Sequence, residues 1–386
     1  MKAWLFLAVF ALSVSAEAQS IGESELREAV SQLLAGDLVA AETALAPLLE
    51  IQPRYRLAHL LYADIQQARA GKPLAFERSD WPDSAELRAQ LEELRKRWSY
   101  KPGRRARQAP SALIQVPRTI QTVLLVDTDR GRLYRVENGE DGLRLRDDYY
   151  SAIGKRGAGK TKAWDRLTPL GTYFLVDRLE NREIHDKYGA LAYPSDYPNA
   201  WDKRLGKTGD GIWLHGTERD GFARPPLDSD GCVVLTNADL LALQNALYPE
   251  QTPIIIARSL DWRAPSHQRT EQLQSSLTQF LEQWRQALQS RDPARFLALY
   301  SADFAPPNSS SIDWRELRTQ ALSQGGAMDV SVSDVFISAY PEQKDLYLLR
   351  FKLNLVGEDF ARQTYKRLYV KRQPQGGWRI EAAGNG

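Results

Sequence analysis

Residues 211–217 read Gly-Ile-Trp-Leu-His-Gly-Thr, and residues 229–240 read Ser-Asp-Gly-Cys-Val-Val-Leu-Thr-Asn-Ala-Asp-Leu. The first stretch predicts a short strand over 211–214 that ends at His215, and a strand end is a firm place from which to aim a side chain into a cleft. The second predicts a turn at Cys232, then a helix over 238–247 with Thr236 or Asn237 as its cap. A cysteine becomes a useful nucleophile when a nearby base or cation stabilises its thiolate. Gly231 leaves the backbone free to approach a ligand closely, and successive amides there can face a carbonyl oxygen as an oxyanion hole. The positive end of the following helix would favour both thiolate and oxyanion.

Outward from this pair, short runs at 122–126, 133–136, 149–153, 171–176 and 252–257 carry β-rich composition separated by turns. A mainly β domain over 118–258 is expected. Upstream, 23–34, 38–49 and 54–70 show helical spacing, broken by Gly36-Asp37 and punctuated by Pro53. This rhythm makes 19–100 a helical segment that resembles a tetratricopeptide unit. Little more than one repeat is present, and one repeat cannot bury its own face. The segment should therefore pack on the catalytic domain or on a partner. Residues 101–117, with Pro102-Gly103, three arginines, Pro110 and Pro117, read as a linker.

A second linker is expected at 259–267, around Pro265. Beyond it, helical spacing at 272–289 and 293–300 precedes strand patterns at 327–340, 345–356, 364–372 and 378–382. Helices first and antiparallel strands afterwards predict an α+β domain over 268–386. The chain is thus multidomain: an N-terminal α-helical segment, a mainly β catalytic domain and an α+β C-terminal domain.

The N-terminus carries an address. Lys2 precedes an apolar run over 3–14, and Ala16-Glu17-Ala18 fits a signal-peptidase site, with Gln19 as the expected mature start. The run is shorter than the roughly 20 apolar residues of a membrane span. Export to the periplasm, with no membrane span left after cleavage, is expected. The formal charge of +2 is too small to argue for nucleic acid as a partner.

Cys232 is the only cysteine, so it cannot form an intramolecular disulfide. One cysteine and four histidines without paired spacing make a poor metal constellation, and neither a metal nor an organic cofactor is implied. Of the histidines, His59 lies in a helix, His267 in the second linker and His185 in a polar loop. Only His215 is set at a strand end ahead of the cysteine turn.

The stretches 212–217 and 229–240, with 151–175 and 197–216 upstream, resemble the YkuD-type L,D-transpeptidase domain. The order of elements over 268–386 resembles the nuclear transport factor 2-like cone fold. The first resemblance implies Cys232 as nucleophile and His215 as base. It also implies that the Gly216 carbonyl fixes the imidazole tautomer and that amides near Gly231 and Cys232 hold the oxyanion. Asn237 and Asp239 would shape the turn after the cysteine. Ser229 and Asp230, beside the thiol, are the expected substrate contacts.

Two departures stand out. Asp230 occupies a position where the family usually has a second histidine, and its charge should raise the thiol pKa and alter substrate choice. Val234 occupies a position where the family often has an arginine. The resemblance implies peptidoglycan stem peptides as partner. Cys232 would attack the bond between the diamino acid and the terminal D-alanine of a tetrapeptide. The acyl group would pass to an amine-bearing acceptor, a neighbouring stem or an envelope protein, in transpeptidation. Transfer to water would be carboxypeptidation. A non-catalytic wall-binding scaffold is the reading from another class, and the intact Cys232 and His215 argue against it.

Overall fold

The computed structural model describes residues 18–19, 22–72, 84–100, 110–262, 267–306, 310–324 and 326–386. Residues 1–17 of the expected signal peptide (1–18) and the arginine cluster of 101–109 lie outside the described residues.

A two-residue strand, β1 (Ala18–Gln19), precedes four helices: α1 (Glu23–Leu34), α2 (Leu38–Ile51), α3 (Arg56–Arg69) and α4 (Ala85–Ser99). Gly36 turns the chain at φ 81°, and the Asp37 carboxylate caps α2 by accepting from the Ala40 amide at 2.9 Å. Leu26, Leu45, Leu57, Leu61 and Ile65 form the helical core.

The catalytic region begins with β2 (Leu113–Gln115), β3 (Thr122–Asp127), β4 (Arg132–Gly139), β5 (Gly142–Tyr150), β6 (Ile153–Gly154), β7 (Gly171–Phe174), β8 (Leu179–Glu180) and β9 (Leu191–Pro194). It continues through α5 (Ala200–Arg204), β10 (Trp213–His215), β11 (Leu227–Ser229), β12 (Val233–Val234), α6 (Asn237–Leu243) and β13 (Pro253–Ala257). Six strands form one sheet in the order β1-β5-β4-β3-β13-β7, and four form another in the order β12-β10-β9-β8. The remaining chain forms α7 (His267–Gln289), α8 (Pro293–Leu297), α9 (Ser311–Gln324), β14 (Met328–Ala339), β15 (Leu346–Gly357), β16 (Ala361–Arg372) and β17 (Trp378–Asn385).

The large catalytic sheet is buried on both faces. Along β3, Leu124 and Val126 enter one core while Val123 and Leu125 enter another, as the period of two requires. The first core packs against Tyr193, Leu214, Val233 and α6 residues Leu240 and Leu243, and so supports the smaller sheet. The second meets Phe336, Leu346, Leu348 and Tyr369 of the C-terminal sheet. That C-terminal sheet buries its other face under α7, through Leu277, Phe280 and Trp284 against Leu349 and Phe351.

Both expected linkers are partly structural. β2 is an edge strand of the C-terminal sheet, pairing with β14, so 113–115 is no free tether. A three-residue strand held by a partner more than 200 positions away leaves no local pattern. Leu260 and Trp262 are buried in the core between the domains, and α7 already starts at His267, which is helical. The 14-residue α9 was absent from the sequence expectation; it packs through Trp314 and Leu322.

The helical segment packs on the catalytic sheet, through charge as well as apolar surface. Glu23, Glu93, Arg97 and Arg132 are each at most 1% exposed. Arg132 donates to both oxygens of Glu23 at 2.8 Å and to Asp148, and Tyr100 donates to Asp148 at 2.9 Å. Arg97 donates to Glu93 at 2.8 Å and lies over the Tyr150 ring at 3.8 Å. Deep burial raises the Glu93 carboxyl in spite of these partners. Removing one member of such a network leaves the others charged and desolvated. Arg132→Ala should therefore cost about 3–5 kcal/mol in urea unfolding of the full chain. A loss below about 1 kcal/mol would mean that the network does not fasten the helices to the sheet.

Candidate active site

β10 and β12 run parallel, with Leu214 paired to Val233 and His215 to Val234. One step back in that register brings Cys232 beside Trp213. Paired residues share a face and alternate residues return to it, so Trp213, His215, Cys232 and Val234 lie on one side of the sheet. Leu214 and Val233 point the other way, into the core. The strand ends put His215 one strand across and two residues along from Cys232.

His215 is 3% exposed and Cys232 is 7% exposed. The imidazole Nδ1 lies 2.6 Å from the Gly216 carbonyl. A carbonyl only accepts, so Nδ1 carries the proton and Nε2 presents a lone pair. Gly216 has no room for a side chain, since a Cβ there would stand 2.0 Å from Asn237 Oδ1. Asn237 ties three segments together, accepting from the Ala190 amide at 2.9 Å and donating to the Thr217 carbonyl at 2.7 Å. Thr236 caps α6, accepting from the Asp239 amide at 3.0 Å, and Asp239 is buried. Asn237 thus shapes the turn through its side chain, and Asp239 enters it through its amide.

Gly231 holds φ 128°, and a Cβ there would meet the Leu167 carbonyl at 2.9 Å. Its amide donates to Ser229 Oγ at 3.1 Å, and the Ser229 hydroxyl donates to the Cys232 carbonyl at 2.7 Å. Ser229, expected to contact substrate, is 3% exposed and uses its hydroxyl to close this turn. The Gly231 amide, expected in the oxyanion hole, points into the same turn. Asp230 stays on the surface, 3.9 Å from Arg166.

Burial sets the protonation of the pair. It raises the Cys232 thiol to about 11, against a lowering by the Trp213 amide and the Lys187 charge, and Asp230 raises it further, as its place beside the thiol suggested. Burial lowers His215 to about 4; the Gly216 carbonyl opposes this, while the charges of Arg224 and Lys187 add to it. At neutral pH the site holds a thiol and a neutral imidazole. Such a pair can deliver a nucleophile by proton transfer at the moment of attack.

Sequence reasoning missed the aromatic cover. Tyr188 stands edge-on to His215 at 5.0 Å and packs on Trp213 at 4.6 Å. Tyr188 ends the short turn that His185 caps, with His185 Nδ1 accepting from the Lys187 amide at 3.2 Å. His185 itself is exposed.

Residues 121–256 match the family model of the L,D-transpeptidase catalytic domain (YkuD), and residues 276–382 that of the Cds6 C-terminal NTF2-like domain. The chain therefore joins a YkuD L,D-transpeptidase domain to an NTF2-like α+β domain, the architecture of an L,D-transpeptidase-family peptidoglycan enzyme. Among solved structures it is similar to Bd1075 from Bdellovibrio bacteriovorus, at 27% identity and a TM-score of 0.59 over 72% of this chain and 98% of that one. It is also similar in fold to Pgp2, the helical cell shape determining protein from Campylobacter jejuni. There the identity is 23% and the TM-score 0.60, over 71% of this chain and 96% of that one. No curated protein matches the chain. Among the described residues no helix is long and apolar enough to cross a membrane.

A neutral resting pair has a kinetic signature. Iodoacetamide labelling of Cys232 should accelerate steadily from pH 7 to about pH 10, without an early plateau. A plateau beginning near pH 5 would instead reveal a thiolate–imidazolium pair. The same shifts bear on stability. Below its ordinary 6.5, His215 takes up a proton more readily in the unfolded chain, so its share of stability is lost as pH falls from 6.5 towards 4. Cys232 loses its proton more readily when unfolded, so its share is lost as pH rises from 9 towards 11.

Proposed function

We propose that this protein is an exported L,D-transpeptidase that acts on peptidoglycan stem tetrapeptides, with Cys232 as nucleophile and His215 as base. The observation that carries the reading is the shared face of Cys232 and His215 at the ends of paired strands, with the His215 tautomer fixed by Gly216. His215 Nε2 takes the thiol proton as sulfur attacks the carbonyl of the diamino acid. The tetrahedral intermediate collapses as the bond to the D-alanine nitrogen breaks, and His215 returns the proton to that nitrogen. D-alanine leaves and a thioester on Cys232 remains. An amine from a second stem, deprotonated by His215, then takes the acyl group and frees the thiol.

Desolvation supports this order of events. A buried neutral pair avoids holding charge at rest, and charge develops only where the oxyanion and imidazolium form. The charges of Lys187 and Arg224 act on both reactive groups and suit a substrate rich in carboxylates. The Cys232 amide is the backbone donor this reading places on the oxyanion, because the Gly231 amide faces Ser229. Asp230, exposed beside the turn, would meet the substrate on the Arg166 side. The apolar run and Ala16-Glu17-Ala18 support export to the periplasm. The similarity to a cell shape determining protein supports a part in wall shape.

Hydrolysis of the thioester is the second reading, and the burial of Cys232 favours it, because water needs less room than a second stem. Incubation of the mature protein with disaccharide-tetrapeptide, with products resolved by mass spectrometry, separates the two. A cross-linked dimer lacking one D-alanine, absent with Cys232→Ala and His215→Ala, is the expected result. Tripeptide alone would assign an L,D-carboxypeptidase. No turnover by a protein whose thiol still alkylates would sink both and point to a scaffold.

A further inference from the structure

The segment joining the two reactive residues does not rest on the catalytic domain alone. It leaves β10 at Gly216 and returns at β11, and its middle enters the N-terminal helical layer. Phe222 is 7% exposed and belongs to the helical core, its ring 4.6 Å from that of Tyr55. Asp220 forms an ion pair with Arg54. The Arg224 carbonyl accepts from the Tyr150 hydroxyl at 3.0 Å, and Arg97 of α4 covers the Tyr150 ring.

From this anchorage, contacts lead back to the imidazole. Thr217 Oγ1 lies 3.1 Å from the Gly221 carbonyl and 3.3 Å from that of Phe222, binding the start of the segment to its buried middle. The Arg224 guanidinium donates to Glu218 at 2.8 Å and to the Lys187 carbonyl at 2.8 Å. Lys187 precedes Tyr188, whose ring covers His215 and whose carbonyl accepts from the Gly216 amide at 3.0 Å. From Tyr55 to His215 the links are ring packing, hydrogen bonds and short stretches of chain.

We propose that the N-terminal helical layer is a positioning element for the active site, acting through Phe222 and Arg224, which together hold the Lys187–Tyr188 turn over His215. The proposal rests on the reading of His215 as the catalytic base. An anchored midpoint restricts an eleven-residue connection (216–226) that would otherwise sample many conformations. Catalytic groups lose function when displaced by as little as about 0.5–1 Å, so this restraint bears directly on rate. Phe222 also helps to complete the core of a repeat-like unit that cannot bury its own face.

Truncating Phe222 should loosen the cover and admit water to His215. The groups around the imidazole are Tyr188, Arg224, Lys187, Glu218 and Cys232; Phe222→Ala leaves all of them chemically unchanged, so the midpoint should respond to solvation. The chain has four histidines, which makes their ring protons separable by NMR. In the full-length wild type, His215 should stay neutral from about pH 5 to 8, in keeping with its burial. In Phe222→Ala its midpoint should rise above about 5.5, towards the ordinary range. Arg224→Lys keeps the charge but loses the forked grip, and should shift it likewise. Phe222→Leu should restore the wild-type behaviour. Near-UV circular dichroism identifies which variants are folded, and any one folded variant decides.

A folded Phe222→Ala or Arg224→Lys protein with His215 titrating within about half a unit of wild type would overturn the proposal. Loss of folded protein alone would shrink the signal without moving the midpoint. The titration does not depend on turnover. An inactive wild type with the expected shifts would therefore refute the proposed function and leave this coupling standing.

Discussion

Burial of the catalytic sheet on both faces is the constraint on which the molecule turns. A strand covered on one side can alternate apolar and polar residues; β3 and β13 cannot, and each is buried throughout. One face supports the small sheet that carries His215 and Cys232, and the other lies against the C-terminal domain. The C-terminal domain thereby covers the far face of the sheet that supports the small one. Contacts across that seam are polar as well, with Asn199 donating to the Tyr340 hydroxyl at 2.9 Å and Arg350 donating to the Glu250 carbonyl at 2.6 Å.

The same exclusion of water governs the chemistry. A more exposed cysteine beside a histidine commonly gains reactivity by ionising at rest. Here both groups are pressed towards neutrality, the thiol upwards and the imidazole downwards. On the proposed function, proton transfer and attack would then be coupled, and the fixed tautomer would matter more than it would for a resting ion pair. A 2.6 Å bond from Nδ1 to a backbone carbonyl supplies that orientation without introducing a third ionisable group. The crowded contact of Gly216 with Asn237 keeps the carbonyl in place.

Most of this was legible where local chemistry determines structure. The breaks at Gly36-Asp37 bounded α1 and α2, the Thr236 cap fixed the start of α6, and the apolar run before His215 announced β10. Cys232 and His215 stand out as a candidate pair because a strand end and a glycine turn leave a pattern within a few residues, and the structure brings them to one face of the small sheet. What escaped depends on distant partners. β2 exists because β14 offers an open edge, and Leu260 and Trp262 are buried because two domains meet over them. Ser229 looked like a substrate contact from its position. Its hydroxyl is instead taken up by a turn whose closure the sequence does not display.

Phe222 shows the limit most clearly. A phenylalanine in a loop between Gly221 and Ala223 has no periodic neighbours, so sequence pattern gives it no role. The helical segment posed the complementary puzzle, an apolar face without enough repeats to cover it. Each resolves the other once they are placed together: the loop lends its ring to the helical core, and the core restrains the loop. Tyr55 serves both sides, packing on Phe222 while its hydroxyl donates to Glu93 at 2.8 Å within the buried charge network. The network that fastens the helices to the sheet and the ring that fastens the loop to the helices thus share a residue. A disturbance of the helical layer has a short physical route to His215.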